Sequence, residues 1–335
     1  MREAGQARES STQSRRPAID ITLTEIRVKG RTTYVPSARI DGRTVIATGR
    51  WLKIAALQDE ELIEGEPVVD PASFVLHLKQ TGLNADIFTF PQRLPDTAPK
   101  YSYCMEWENF AVIPITTFSD WWSRRVEPSV RRAVRKAAKT GVAVKLAEFD
   151  DTFVQGIVDI YNETPIRQGR RFWHFQKSFD AVKRENSTYA QRNTFLSAYY
   201  QGELIGFVRM TRADGVAHLV QILTMMKHYD KRPANALIAK AVEICEQMGI
   251  SYLMYYNYTY NDPNSSLTEF KRRCGFEQVL LPRYYAPLTL KGEIALKLGL
   301  HRGLARCIPR SVVTHLLKLR SFWYARRLKG TEGSL

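Results

Sequence analysis

The stretch SSLTEFKRRCGFEQVLLPRYYAPL, residues 265–288, constrains the fold of this chain more than any other. Its first half has the composition of a basic surface helix, with Phe270 on the inner face and Lys271 directly after it. At Cys274-Gly275-Phe276 the helix stops and a strand begins. A glycine just past the last turn ends a helix by taking a left-handed conformation that other residues adopt only at a cost. Phe276 then turns inward to open the strand.

The same alternation runs upstream. Pro128 opens a helix whose Val130, Ala133, Val134, Ala137 and Ala138 share one face. Arg131, Arg132, Arg135, Lys136 and Lys139 take the other, and Gly141 ends it before a strand. Helices are expected over about residues 150–163 and 178–189, followed by strands at TFLSAYY, ELIGFVRM and AHLVQILTMM. RPANALIAKAVEICEQMG is a helix with Pro233 near its start and Gly249 just past its end. The strand SYLMYYNY, a polar loop and the helix of the opening segment complete the series. After Phe276 two strand segments are expected, around FEQVLL and RYYAPLTL. The order αα-βββ-α-β-α-β(β) predicts an α/β fold on a mixed sheet, antiparallel at first and then joined by a parallel crossover.

The first half is less regular. Strand-like runs flank an Asp41-Gly42 turn, Asp70 and Pro71 begin a helix that Gly82 ends, and ADIFTF and CMEWENFAVIPI read as short strands. A chain of 335 residues exceeds one ordinary core. The expected division is a disordered tail at 1–18, an N-terminal α/β domain at 19–124, a second α/β domain at 125–290 and a basic amphipathic helical tail at 291–335.

The net charge of +15 calls for an anionic partner: RNA, a phosphate-bearing ligand or an anionic membrane face. The excess is local, with eight Lys and Arg against one Glu between Arg124 and Lys145, and ten against two from Lys291 onward. The tail suits a helix lying on an anionic membrane, or one docked on its own domain. No apolar run is long enough to span a bilayer, and the first eighteen residues lack the apolar centre of a secretory signal. Four dispersed cysteines and six dispersed histidines show no disulfide or metal spacing. The expectation is a cytoplasmic protein, peripheral to the inner membrane face, with no metal and no tightly bound cofactor.

The element order resembles the GNAT acyltransferase fold, with Asn264, Phe270, Gly275 and Phe276 at matching spacing in the helix that ends in Gly-Phe. FKRRCG resembles the Phe-Lys-x-x-x-Gly signature of Fem-type aminoacyltransferases and their GNAT-like relatives, where an ordinary GNAT enzyme commonly carries a tyrosine at Lys271. Such proteins often pair two GNAT-like domains, which implies a second, smaller GNAT-like domain in the N-terminal half. The resemblance covers residues 125–290 well. It implies transfer of an acyl or aminoacyl group from an activated donor to an amine, on a cell-envelope precursor or a small molecule.

Amine attack on an ester or thioester needs orientation, charge relief at the tetrahedral oxygen and movement of a proton. Lys271 is the candidate cation for that oxygen or for a donor phosphate. Tyr256 and Tyr258 are candidate proton donors, or rings on which a base stacks. Acyl-CoA enzymes of this fold hold the pyrophosphate on a glycine-rich turn that opens a helix. The matching KHYDKRPANALI has no glycine, which leaves Lys231, Arg232 and Asn235, with Asn264 and Phe270, as candidate donor-binding residues. Its composition fits aminoacyl-tRNA better than acyl-CoA. Arg167, Arg170 and Arg171, in a loop between helices, are candidates to grip the acceptor, as is Gln221, a lone amide in an apolar strand. Glu163 and His218 are weaker candidates for a base. The other readings are a conventional acyl-CoA N-acyltransferase and a non-catalytic RNA- or membrane-binding module.

Overall fold

A computed structural model describes residues 21–28, 31–60, 68–167, 169–259 and 265–302 of the chain. The expected tail at 1–18 and most of the C-terminal tail, from 303 on, lie outside them.

The N-terminal part folds as strands β1 (Thr22–Val28), β2 (Arg31–Ile40), β3 (Arg43–Thr48) and β4 (Ile54–Leu57), helix α1 (Pro71–Gln80), and strands β5 (Ile87–Pro91) and β6 (Cys104–Pro114). Asp41 and Gly42 both take positive φ, 48° and 76°, as a two-residue hairpin between β2 and β3 requires. Asp70 caps α1 by accepting from the amides of Ala72 and Ser73. Two short single-turn segments at Phe118–Asp120 and Trp121–Arg125 then lead to helix α3 (Pro128–Lys139), the first of them counted as α2.

The second part continues with β7 (Ala143–Ala147), α4 (Asp151–Asn162), a small hairpin of β8 (Ile166–Arg167) and β9 (Arg170–Arg171), and α5 (Phe179–Asn186). Strands β10 (Asn193–Tyr200), β11 (Glu203–Ala213) and β12 (Val216–Thr224) form an antiparallel meander. Helix α6 (Pro233–Gln247) crosses over to β13 (Tyr252–Asn257), which pairs parallel to β12. Then come α7 (Ser266–Arg273), β14 (Glu277–Pro287) and α8 (Leu290–Lys297). The two strand segments read after Phe276 are one uninterrupted strand.

All strands but β8 and β9 join a single sheet of twelve, in the order β1-β2-β3-β4-β5-β14-β6-β13-β12-β11-β10-β7. The order is informative at its centre. Strand β14, from the end of the chain, lies between β5 and β6, while β6, from the N-terminal half, lies between β14 and β13. Each half therefore completes the other's sheet across the expected boundary at 124/125.

On one face of the C-terminal half, α6 buries Leu237, Ile238, Ala241, Val242 and Cys245 against the sheet, with Val130 and Ala137 of α3 alongside. On the opposite face, α4 buries Phe153, Ile157 and Tyr161 against Phe195 and Phe207. Burial of a Leu, Ile or Phe side chain is worth about 1.5–3 kcal/mol, so these two layers fix the strands that carry the site. Gly156 lets α4 approach β11, because a Cβ there would stand 2.6 Å from a methyl of Leu204.

The end of α7 forms as the sequence requires. Gly275 has φ 80°, its N–H donates to Arg272 O, and the Phe276 N–H donates to Lys271 O, each at 3.0 Å. Phe276 is buried. The Trp121 indole donates to Cys274 O at 3.1 Å, so the last residues of the N-terminal half close over this turn.

Candidate active site

Strands β12 and β13 stay paired for three rungs only, Val216 with Tyr252, Ala217 with Leu253 and His218 with Met254. Beyond them the strands diverge. On its other side, β13 pairs with β6 through Met254 and resumes at Asn257, with a register shift between. Within that shift lies Tyr256, a non-glycine residue at φ 39°, a conformation that costs of order 1–3 kcal/mol and persists where the surroundings enforce it. A backbone carbonyl that loses its strand partner needs another donor. Lys271, fully buried on α7, supplies it: its Nζ donates to Tyr255 O at 3.0 Å and to Asn257 O at 2.6 Å, and lies 4.3 Å from the centre of the Tyr255 ring. Burial pulls its pKa down to about 8.

Two cavities open at the divergence, and Tyr256 lines both. The larger, about 1170 Å³, is walled by Tyr161, Trp173, His174, Arg209, Gln221 and Tyr255 from the C-terminal half, with Gln58 and Asp59 from the N-terminal half. The smaller, about 530 Å³, lies between His218, Leu219 and Met254 on one side and Arg93, Leu94 and Leu281 on the other. Both are of ligand-binding size.

The large cavity has a hydrogen-bonded wall. Tyr161 Oη lies 3.0 Å from Gln221 Oε1, Gln221 Nε2 lies 3.3 Å from His174 Nε2, and Lys177 Nζ lies 3.2 Å from His174 Nδ1. Burial, with the Lys177 and Arg167 cations, drives the His174 pKa down to about 3, and burial lifts that of Tyr161 to about 12. Both groups are uncharged at neutral pH. Exposed Trp173 lies against His174, with ring centroids 3.6 Å apart and planes tilted by 34°, and lines the cavity. Arg209 is buried and donates to Glu185 O, Thr188 O and Thr188 Oγ1, so it braces the rim.

The sequence-based candidates divide accordingly. Tyr256 and Gln221 line the site. Lys271 does not: it lines neither cavity, and its ammonium is committed to β13 carbonyls, so the expected contact with a developing oxyanion gives way to a contact with the backbone. Tyr258 packs partly buried against the α6 core. Phe270 does the same. Arg167 is a structural cation, donating to Thr224 O, Ile160 O and Glu163 Oε2. Arg171 is exposed on the β8–β9 hairpin, to which Arg170 also belongs. Asn264 lies outside the described residues.

The turn after β12 departs from an anion cradle. Several of its N–H groups are already engaged: Met226 and Lys227 donate to the Glu163 carboxylate at 2.7 and 2.8 Å, His228 donates to Met225 O, and Arg232 donates to Tyr229 O. Pro233 has none. Asn235 is half-buried, and its side chain lies near enough to the Cys274 thiol to lower that group's pKa. Lys231 lies over the Tyr200 ring and pairs with Asp230, and Arg232 stands exposed in a left-handed conformation. The Glu163 carboxylate anchors this turn to the end of α4. His218, at the last paired rung, is a neutral group facing the smaller cavity, its pKa lowered to about 3 by burial and by Arg93.

Sequence reasoning missed His174, Trp173, Tyr161 and Arg209. RRFWHF was legible as an arginine loop, but the pairing of His174 with Gln221 is a contact between residues 47 apart. The one available signal was the polar Gln221 in an apolar strand.

Residues 154–276 match the acetyltransferase (GNAT) family. No curated protein matches the sequence. Among solved structures the chain is similar to FemX, at 9% identity over 83% of this chain and 90% of that one, with a TM-score of 0.52. It is also similar to L-PGS from Bacillus licheniformis, at 13% identity over 76% of this chain and 84% of that one, with a TM-score of 0.50. At such identities the likeness is one of fold. Residues 154–276 thus resemble the acetyltransferase (GNAT) family, and they sit within a larger mixed-sheet fold similar to that of FemX.

No helix among the described residues is long and apolar enough to cross a membrane.

Proposed function

We propose that the protein transfers an acyl or aminoacyl group to an amine, with donor and acceptor meeting where β12 and β13 part. The observation that carries this reading is the position of Tyr256 between two cavities at that divergence. An acyl carbon lodged there is open to an amine from the other side: the C–N bond forms as the C–O or C–S bond breaks, the departing oxygen or sulfur takes a proton from the Tyr256 hydroxyl, and the proton given up by the amine nitrogen restores that hydroxyl. A positioned acid of this kind contributes about 100-fold or more to rate. Gln221 and His174, both neutral, orient the substrate by hydrogen bonds.

The self-satisfied turn at 225–233 favours an aminoacyl donor carried on RNA over acyl-CoA, since a pyrophosphate would find few free amides there. Exposed Arg132, Arg135, Lys136 and Lys139 form one face of α3, and α3 packs beside that turn. The acceptor fits an amine on a cell-envelope precursor, in keeping with the resemblance to Fem-type proteins. A second reading, an acyl-CoA N-acyltransferase, is favoured by the GNAT family match of residues 154–276. Single-turnover transfer to a panel of amines, using acetyl-CoA, a long-chain acyl-CoA and aminoacyl-tRNA, tests both. Transfer that collapses in Tyr256→Phe supports the site, and transfer indifferent to Tyr256 refutes it.

A further inference from the structure

Lys271 is the feature of the site that its own chemistry least explains. An ammonium fully buried beside apolar residues costs free energy unless it is matched by acceptors. The acceptors here are main-chain carbonyls on either side of a single residue, Tyr256. That residue has a positive φ, falls within the register shift of β13 and lines both cavities. The Tyr255 ring covers the ammonium and excludes water from the pair of hydrogen bonds. On the far side, Asn109 of β6 accepts the Tyr258 N–H at 3.2 Å through its main-chain oxygen and the Thr259 N–H at 2.8 Å through its side chain. The strand is thus gripped on both flanks of Tyr256; on the α7 flank Lys271 makes the two short bonds, and Thr268 Oγ1 adds a longer one, 3.4 Å, to Tyr258 O.

We propose that Lys271 is a positioning residue that acts through the backbone: by holding the carbonyls of Tyr255 and Asn257 it keeps β13 parted from β12 and fixes Tyr256 between the two cavities. It touches neither donor nor acceptor. The ammonium reaches two carbonyls two residues apart along the strand, which no apolar side chain of similar length can do. This rests on the acyl-transfer reading only for its consequence. The clamp itself is a structural statement about Tyr256.

The experiment separates the two. Fluorotyrosine is placed at position 256 in the full chain, and its fluorine resonance is recorded in wild type, Lys271→Met, Lys271→Gln and Lys271→Arg, beside circular dichroism and thermal melts. The expected result is a folded Lys271→Met chain whose fluorine signal shifts or splits, with Lys271→Arg returning it toward wild type. In the transfer assay, kcat falls about 100-fold in Lys271→Met, the order expected when a reacting group moves by about an ångström, while KM changes little. If Lys271→Met fails to fold, Lys271→Gln, which retains a donor, gives the same readout at smaller amplitude. An unmoved fluorine signal in a folded Lys271→Met chain overturns the clamp. Lost transfer with an unmoved signal would place the ammonium on substrate instead. Absence of transfer from wild type with every donor would refute the acyl-transfer reading, while the fluorine spectra still decide the clamp.

Discussion

Glu163 and Arg167 show how residues that look like ligand contacts can be absorbed by the fold. Their side chains are both mostly buried and lie 3.1 Å apart. Arg167 adds two carbonyls, and Glu163 adds two amides, to make a knot under the β8–β9 hairpin. Breaking such a buried pair is strongly destabilising, so Arg167→Met should cost about 3 kcal/mol in urea unfolding. A loss below about 1 kcal/mol would return Arg167 to the list of ligand contacts. Gly275→Ala should cost about 2 kcal/mol, since a Cβ at φ 80° would also stand 3.1 Å from the Trp121 indole nitrogen. His174 and His218 set the acid response. Each has a folded pKa near 3 against an ordinary 6.5, so the unfolded chain binds more protons between those values. Stability is therefore greatest above pH 6.5 and falls as pH drops toward 3, by about 1.4 kcal/mol per pH unit for each histidine. His174→Gln should flatten that slope by one proton, as read from urea midpoints at pH 4.5 to 6.5.

At the scale of elements, legibility followed the range of the forces. Helices α1, α4, α6 and α7 were readable because capping residues, Pro at the first turn and terminal glycines are local signals. The Asp41-Gly42 hairpin was readable for the same reason. The β8–β9 hairpin and the turns around Trp121 were not, because their stability comes from tertiary contacts such as the Trp121 indole on Cys274 O. Lys271 stands out in the sequence, yet the carbonyls it bonds lie 14 and 16 residues earlier in the chain. The α3 helix carries a prediction of its own. Replacing Arg132, Arg135, Lys136 and Lys139 with Gln should leave the fold intact, because all four are exposed. If the donor is carried on RNA, it should also lower the log–log salt slope of RNA binding by about 3. An unchanged slope would remove α3 from the donor path.

The whole molecule is interlocked in a way that no local pattern announces. Strands β6 and β14 read as ordinary strands, but each is seated in the sheet of the opposite half. A fragment of residues 125–302 would lose β6, whose Val112 and Ile113 are buried against β13 and β14. A fragment ending at 124 would lose β14, and with it buried Tyr284, which bonds Gln92 at 2.8 Å. Neither fragment should show a cooperative thermal transition alone, and mixing the two should restore one. A sharp transition from either by itself would contradict the exchange. The arrangement also places the cavities, because their walls come from both halves and meet at the strands that cross.

The central claim is that acyl transfer occurs at Tyr256 with a donor that is not gripped by the turn at 225–233. Titration calorimetry of the full chain with acetyl-CoA and with aminoacyl-tRNA, at low and high salt, tests it most directly. Steeply salt-dependent binding of the charged tRNA and only feeble binding of acetyl-CoA are expected. Tight, saturable binding of acetyl-CoA, little affected by salt, would contradict it and make the chain a conventional acyl-CoA enzyme despite its glycine-free turn.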